Sequence, residues 1–272
     1  MSILLIIMES FLLSTSIFIF WVVKGGFHKR FLYKDNLLIS IGTAVISSLI
    51  YIKFIENMLV ILLIFNPFIA GVLFLFLLVY RFYKNPYRKI EASSDEFLSP
   101  ADGRVIYIKE LEKDQLPVSI KKGRLAKLDE ITKTDILTVP CYLIGIAMTL
   151  FDVHINRAPS AGKVIFVKHT PGTFLGLNKP ESTFTNERNT VIIERPDGIK
   201  VGIVQIAARY VKRCIISVKE GESVEQGAVI GKIRVGSQVD LIIPRNCEIL
   251  VREADQVFAG LTKIAKLRSD LS

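Results

Sequence analysis

Three apolar stretches in the first 90 residues constrain this chain more than any other feature. Residues 3–23 form a run of 21 whose only charge is Glu9. As a helix it reaches roughly 31 Å, about one bilayer core. It lacks the basic start and small-residue cleavage site of a secretory signal, so it reads as a retained span. Residues 58–80 make a second span of 23 without any charge. Between them, 37–52 offers 16 apolar-rich residues, short of the usual ~20. That segment spans if Lys53 snorkels, or forms a shallow hairpin with the segment after it. Glu9, near one end of its run, is expected at the interface.

Charge placement orients these spans. Lys24, Lys29, Arg30 and Lys34 come after the first, and Arg81, Lys84, Arg88 and Lys89 after the last; the intervening turn has Lys53 and Glu56. The positive-inside rule puts both basic segments in the cytoplasm, which requires three spans, an outside N-terminus and a cytoplasmic main domain on a multi-pass cell-membrane anchor of residues 1–90. That anchor carries nine Lys/Arg and three Asp/Glu, whereas residues 91–272 carry 26 and 23. The basic excess is therefore concentrated beside the membrane, which argues against a nucleic-acid partner. In 81–88, aromatic and basic residues interleave, as expected of an interfacial anchor or of a surface drawn to anionic headgroups. His28 is expected at the interface.

From Ser99 onward the pattern becomes short apolar runs with period two. Segments 104–108, 142–148, 163–167, 190–194 and 200–206 read as strands, with Arg195-Pro196-Asp197-Gly198 as a hairpin turn. Only 121–134 has helical character. The soluble part is therefore expected to be mainly β, of the α+β class. Cys141, Cys214 and Cys247 show no metal or disulfide spacing and read as buried small residues of a reducing compartment. Residues 221–227 (GESVEQG) are echoed by 254–260 (ADQVFAG), 33 positions on, matching at acid, Val and Gly. This resembles the turn-and-strand unit of lipoyl and biotinyl carrier domains, implying a barrel-sandwich C-terminal part. A carrier has a modified Lys at the intervening hairpin tip; here the tip is Gly236-Ser237.

Four motifs occur in order: Ser99-Pro100-Ala101-Asp102-Gly103, then 151–159 (FDVHINRAP), Thr185-Asn186-Glu187-Arg188-Asn189, and Val235-Gly236-Ser237. With the aromatic-basic segment before them, they resemble the phosphatidylserine decarboxylase family, including its archaetidylserine counterparts, over about residues 81–265. The resemblance implies a proenzyme that cuts itself between Gly236 and Ser237. Ser237 Oγ would attack the Gly236 carbonyl, and elimination and hydrolysis would leave a covalent pyruvoyl group at Ser237. The substrate amine would form a Schiff base with it, so that the carbonyl takes up the electrons left by departing carbon dioxide. A serine phospholipid, phosphatidylserine or archaetidylserine, would become the ethanolamine phospholipid. No metal is implied, and the large and small chains would stay together as a heterodimer.

By family position, Asp102 and His154 are the candidate base and orienting group for the Ser237 proton. Taken alone, Asp102 reads equally as an Ala-Asp-Gly turn and His154 as a hydrogen-bonded histidine at a strand end. The longer branch of the family has a second histidine where this chain has Arg157, which stays protonated and cannot be a base. Arg157 is instead a candidate for binding the substrate's carboxylate or phosphate. Asn186, Arg188 and Gln205 are further substrate-binding candidates, with a loop ion pair as the alternative for Asn186-Glu187-Arg188. His169 reads as site-lining or as loop geometry. The rival from another class is a non-enzymatic, membrane-anchored barrel module, carrier or adaptor.

Overall fold

The computed structural model describes residues 2–54, 57–112, 118–121, 124–126, 128–176, 179, 181–208, 214–233 and 237–268. Two compact units divide the chain, Met1–Lys84 and Asn85–Ser272. The first contains α1 (Ser2–Lys24), a 3-10 turn (Lys29–Leu32), α2 (Lys34–Lys53) and α3 (Met58–Tyr83). Among the described residues it has three helices long and apolar enough to cross a membrane. The middle helix outruns the apolar stretch 37–52 because its first turn finds polar partners. Asp35 accepts two bonds from Arg81 Nη2 (2.6 and 2.7 Å), and Asn36 Nδ2 donates to Thr15 Oγ1 (2.9 Å).

Glu9 finds a partner among the helices. Its carboxylate accepts from Asn66 Nδ2 (2.9 Å), while Asn66 Oδ1 accepts from Ser10 and Ser47 (3.1 and 2.7 Å). A polar cluster thus ties the three helices, since lipid offers such groups no other partners. Asn66 comes after a π turn at Ile61–Phe65 and precedes Pro67, whose missing N–H already interrupts the ladder. His28 Nδ1 accepts the Arg30 N–H at 3.2 Å and caps the 3-10 turn.

The second unit is mostly strand, an α+β domain in which two short helices accompany the sheets. In chain order these are β1 (Glu96–Leu98), β2 (Gly103–Leu111), β3 (Val118–Lys121), β4 (Arg124–Ala126), α4 (Leu128–Thr132) and β5 (Cys141–Met148). Next come β6 (Ile155–Arg157), β7 (Gly162–Thr170), α5 (Ser182–Thr185), β8 (Arg188–Glu194) and β9 (Lys200–Ile206). The remainder are β10 (Cys214–Ile216), β11 (Ser223–Val224), β12 (Val229–Ile233), β13 (Ser237–Pro244), β14 (Cys247–Ile249), β15 (Gln256–Val257) and β16 (Lys263–Leu267). All five strands read from period two are present. Helical character in 121–134 shrinks to α4 alone, because the residues before it pair as the β3–β4 hairpin.

An antiparallel sheet runs β11-β7-β8-β9-β13-β5-β2-β15, flanked by β1-β16-β14 and β10-β12-β6. This order is an internal two-fold. β1 and β2 repeat as β6 and β7, 59 residues on, so that Ser99-Pro100 corresponds to Ala158-Pro159 and Gly103 to Gly162. The 33-residue echo supplies the other strands. Gly227 N–H donates to the Ala158 carbonyl as Gly260 N–H does to that of Ser99 (both 2.9 Å). Gly221 N–H donates to Val164 as Ala254 N–H does to Val105 (both 2.8 Å). Gly227 and Gly260 have φ of +78° and +70°, the left-handed conformation glycine adopts most easily. The second half, 155–233, is contiguous; the first consists of 96–148 and 237–267, and the halves join where β9 pairs with β13.

Alternation divides β13 between two cores. Val239, Leu241 and Ile243 pack into the larger cluster between the sheets, and Ile242 into a second one with Tyr107, Leu143 and Val204. Cys141, Cys214 and Cys247 are buried thiols, and burial pushes each up to about 12.

Candidate active site

Ser237 heads β13 and is fully buried, pairing in register with Met148 at the end of β5. Its odd position places Oγ on the larger-core side, where it lies 3.2 Å from Met148 Sδ. Residues 234–236, Gly236 among them, lie outside the described residues.

After β5, Asp152 folds the chain back on itself. Its Oδ2 accepts from the Thr149 N–H and hydroxyl (2.8 and 2.7 Å), and its Oδ1 accepts from Gln256 (3.1 Å). This turn delivers His154, which is buried, with Nδ1 2.8 Å from the Asp152 carbonyl. A carbonyl only accepts, so Nδ1 carries the proton and Nε2 the lone pair in the neutral ring. Burial lowers the imidazole to about 4, against the opposing pull of the Asp152 carbonyl and the Asp102 charge. At neutral pH the ring is therefore an uncharged proton acceptor. Its own carbonyl accepts the Ile233 N–H (3.1 Å), tying it to the residue four before Ser237.

Asp102 lies in the tight turn before β2, where a side chain at Gly103 would collide with the Ala147 carbonyl. Its buried carboxylate accepts from Arg88 Nη1 (2.6 Å), Arg88 Nη2 (2.9 Å) and the Ala259 N–H (2.8 Å). Asp102 is charge-coupled to both His154 and Arg157. Arg157 donates to the Gly227 carbonyl (2.9 Å), Asn85 Oδ1 (2.8 Å) and the Pro86 carbonyl (3.3 Å). Desolvation, chiefly, and the nearby Arg88 lower its guanidinium.

Gln205 shares the Ser237 face. It accepts from Asn189 (2.9 Å) and donates to Asn156 Oδ1 (2.8 Å), while Asn189 Oδ1 lies 2.8 Å from His169 Nδ1. The row His169–Asn189–Gln205–Asn156 crosses three sheet strands and ends two residues after His154.

Arg188 and Asn186 do not join this face. Arg188 has the parity of Thr190 and Ile192, and is fully buried on the other side of the sheet. It donates to the carbonyls of Ile131 (2.9 Å) and Asn186 (3.0 and 3.1 Å). Burial lowers its guanidinium to about 10, opposed by Asp240, which accepts from Tyr107 (2.8 Å) and Gln238 (2.6 Å). Asn186 bonds the loop beside it through the Leu175 N–H and carbonyl (2.9 and 2.8 Å) and the Ala207 carbonyl (2.7 Å). Both serve architecture in this conformation, and no ion pair of the Asn-Glu-Arg loop is needed to explain them. Sequence reasoning missed Asn156 and Arg88. Asn156 stood inside the His154 motif, whereas Arg88 was indistinguishable from its basic neighbours. Among the described residues no cluster of three or more His, Cys, Asp or Glu could hold a metal ion.

The residues gathered in this mostly-β domain are a buried serine on a central strand, next in sequence to a glycine, a buried carboxylate held by Arg88, and a buried histidine whose Nδ1 is held by the Asp152 carbonyl. The family model for phosphatidylserine decarboxylase matches residues 75–265, and the chain belongs to that family. It is 40% identical over 203 residues to a protein of Methanocaldococcus jannaschii named as an archaetidylserine decarboxylase proenzyme, covering 75% of this chain and 96% of that one. It is 34% identical over 187 residues to the phosphatidylserine decarboxylase proenzyme of Magnetococcus marinus, covering 69% and 77%. A Methanothermobacter thermautotrophicus protein, also named as an archaetidylserine decarboxylase proenzyme, is 33% identical over 223 residues, covering 79% and 92%. The chain is thus a decarboxylase of a proenzyme family of phospholipid synthesis, with apolar N-terminal helices suited to a membrane.

Proposed function

We propose that this chain cuts itself between Gly236 and Ser237 and then decarboxylates a serine phospholipid, phosphatidylserine or archaetidylserine, at the cytoplasmic face of a membrane that its three helices cross. The observation that carries this is the burial of Ser237 at the head of the central strand, with the neutral His154 tied to the segment leading into it. Ser237 Oγ attacks the Gly236 carbonyl carbon, its proton passing to His154 Nε2, and the peptide bond becomes an ester. Loss of the Ser237 Cα proton breaks the Cβ–O bond, freeing Gly236 as a carboxylate and leaving dehydroalanine. Water then replaces its nitrogen, ammonia leaves, and a pyruvoyl group remains.

Ser237 suits that group. Its backbone is pinned to β5, and its hydroxyl rests against the soft thioether of Met148. Once formed, the pyruvoyl carbonyl supplies an electron sink for decarboxylation. Asp102, held by Arg88, is the carboxylate whose charge we assign to support His154 in both steps. Gln205 and Asn156, on the Ser237 face, are the groups we assign to the substrate headgroup. Arg157 follows Asn156 in sequence, and its guanidinium holds residues 85–86 and the Gly227 carbonyl. The paired turn-and-strand units are the part of the fold we read as lipoyl-like.

Intact mass tests the cut. Residues 237–272 are 36 in number, so a small chain of roughly 4 kDa is expected at an average residue mass. Its N-terminus should be blocked and should react with hydrazines. Ser237→Ala should remain one chain and release no carbon dioxide from vesicles of either serine lipid. A single unmodified chain that is nevertheless active would overturn the reading. Protease protection of tags at Met1 and Ser272 tests the orientation: tags on the same side refute three crossings.

A further inference from the structure

Residues 85–93 belong to no helix or strand and alternate in exposure. Pro86, Arg88 and Ile90 turn inward, while Tyr87 is 92% exposed and the Lys89 side chain 78%. The inward side chains lie across the seam between the two halves of the decarboxylase unit. Ile90 packs over Gly227 and Gly260, the equivalent turn glycines of the two halves, where added side chains would strike it. Asn85 and Pro86 are held by Arg157 from the second half. Arg88 reaches the first half, where its two terminal nitrogens fork onto the two Asp102 oxygens and Nη1 also donates to the Ala259 carbonyl (2.5 Å). Ala259 returns its N–H to Asp102, closing a ring of Arg88, Asp102 and the Ala259 backbone. The two side chains are 6% and 3% exposed. Arg88, expected from sequence among lipid-facing basic residues, is thus committed to protein.

We propose that Arg88 is the positioning residue for Asp102. Its guanidinium, delivered by this strap, fixes a buried carboxylate in one orientation, and self-cleavage depends on that orientation. A buried carboxylate needs a countercharge and a fork-shaped donor to hold one geometry. Arg88 supplies both, and Ile90 sets the strap's register. The inference rests on the self-cleavage reading of Ser237.

The test tracks cleavage of the full chain, synthesised without cells into lipid vesicles, by the loss of the 30.6 kDa band. Arg88→Ala should slow cleavage at least about tenfold, a modest share of what general acid–base catalysis contributes, because the Asp102 charge acting on His154 is then no longer held in place. Arg88→Lys should recover part of the rate and Arg88→Gln should not, since only the first keeps the charge. Guanidinium ion at a non-denaturing concentration should speed Arg88→Ala alone. Ile90→Ala, which loosens the strap without touching Asp102, should slow cleavage less. Arg88→Ala cutting at the unmodified rate would overturn the proposal. So would equal rates for Arg88→Lys and Arg88→Gln, a comparison that survives if Arg88→Ala fails to fold. Ser237→Ala is run alongside: two chains from that variant would sink the self-cleavage reading itself.

Discussion

His154 makes the folded protein sensitive to mild acid by an amount set by its burial. Its imidazole ordinarily titrates at 6.5 and is lowered in the fold to about 4. The unfolded chain therefore takes up this proton near pH 6.5, while the folded chain resists it until about pH 4. Between those values the unfolded state binds more protons, so stability falls as pH falls; above about pH 7.5 the residue contributes no slope. Each pH unit inside the window is worth about 1.4 kcal/mol, or roughly 3 kcal/mol across it. For a domain of this size that is roughly 6–12 °C in melting temperature. The measurement is the thermal midpoint in micelles between pH 7.5 and 4.5, in a Ser237→Ala background that keeps one chain. His154→Asn retains a donor for the Asp152 carbonyl but cannot titrate, so its midpoint should decline more gently between pH 6.5 and 5. His28 and His169 are common to both proteins and cancel. Asp95, Glu96 and Asp197, held below the usual carboxylate range by their hydrogen bonds, lose their contribution only at lower pH. Parallel slopes for the two proteins would refute the argument.

Packing sets two further outcomes. Arg188→Met should lower stability by about 3–5 kcal/mol, the usual cost of leaving a buried partner such as Asp240 without its cation; adding Asp240→Leu should recover part of it, and denaturant midpoints of the double-mutant cycle measure both. Gly145→Ala would drive a methyl into the Tyr107 ring and should cost about 1–3 kcal/mol by overpacking, read in the same way.

The strands were legible as short apolar runs bounded by turn residues: β5 and β9 are buried on both faces of the sheet, so 142–148 and 200–206 are apolar almost throughout. The turn at 195–198 was legible for a local reason. Gly198 takes φ +81°, and the Arg195 N–H donates to the Ile199 carbonyl across it. The C-terminal echo showed because acid, Val and Gly recur in both copies. Its N-terminal counterpart was hidden, since Ser99-Pro100-Ala101-Asp102-Gly103 and Ala158-Pro159-Ser160-Ala161-Gly162 share little beyond Pro and Gly. At the site, motif order pointed to Asp102, His154 and Ser237. It did not show which face Arg188 takes, because that depends on sheet register: one position of parity separates the core under Tyr107 from the side that holds Ser237. Composition was equally silent on Arg88, whose aim is decided by the alternation of a strap that pairs with no strand.

The halves of the decarboxylase unit are nested rather than consecutive, and this gives the junction before Ser237 a particular character. The chain lays down β1, β2 and β5, completes the second half through β12, and only then returns with β13 to finish the first. A break on that return severs a thread between two finished modules. The fragment it releases is already braided in, since β13 pairs with β9 on one edge and β5 on the other, β15 closes on β2, and β16 lies between β1 and β14. Such a piece has no exit that does not unzip the middle of the sheet. On the proposed cut the two pieces would stay together as a complementation pair, and residues 1–236 and 237–272 produced separately would face the slow, non-local strand pairing that nesting otherwise assigns to a single chain.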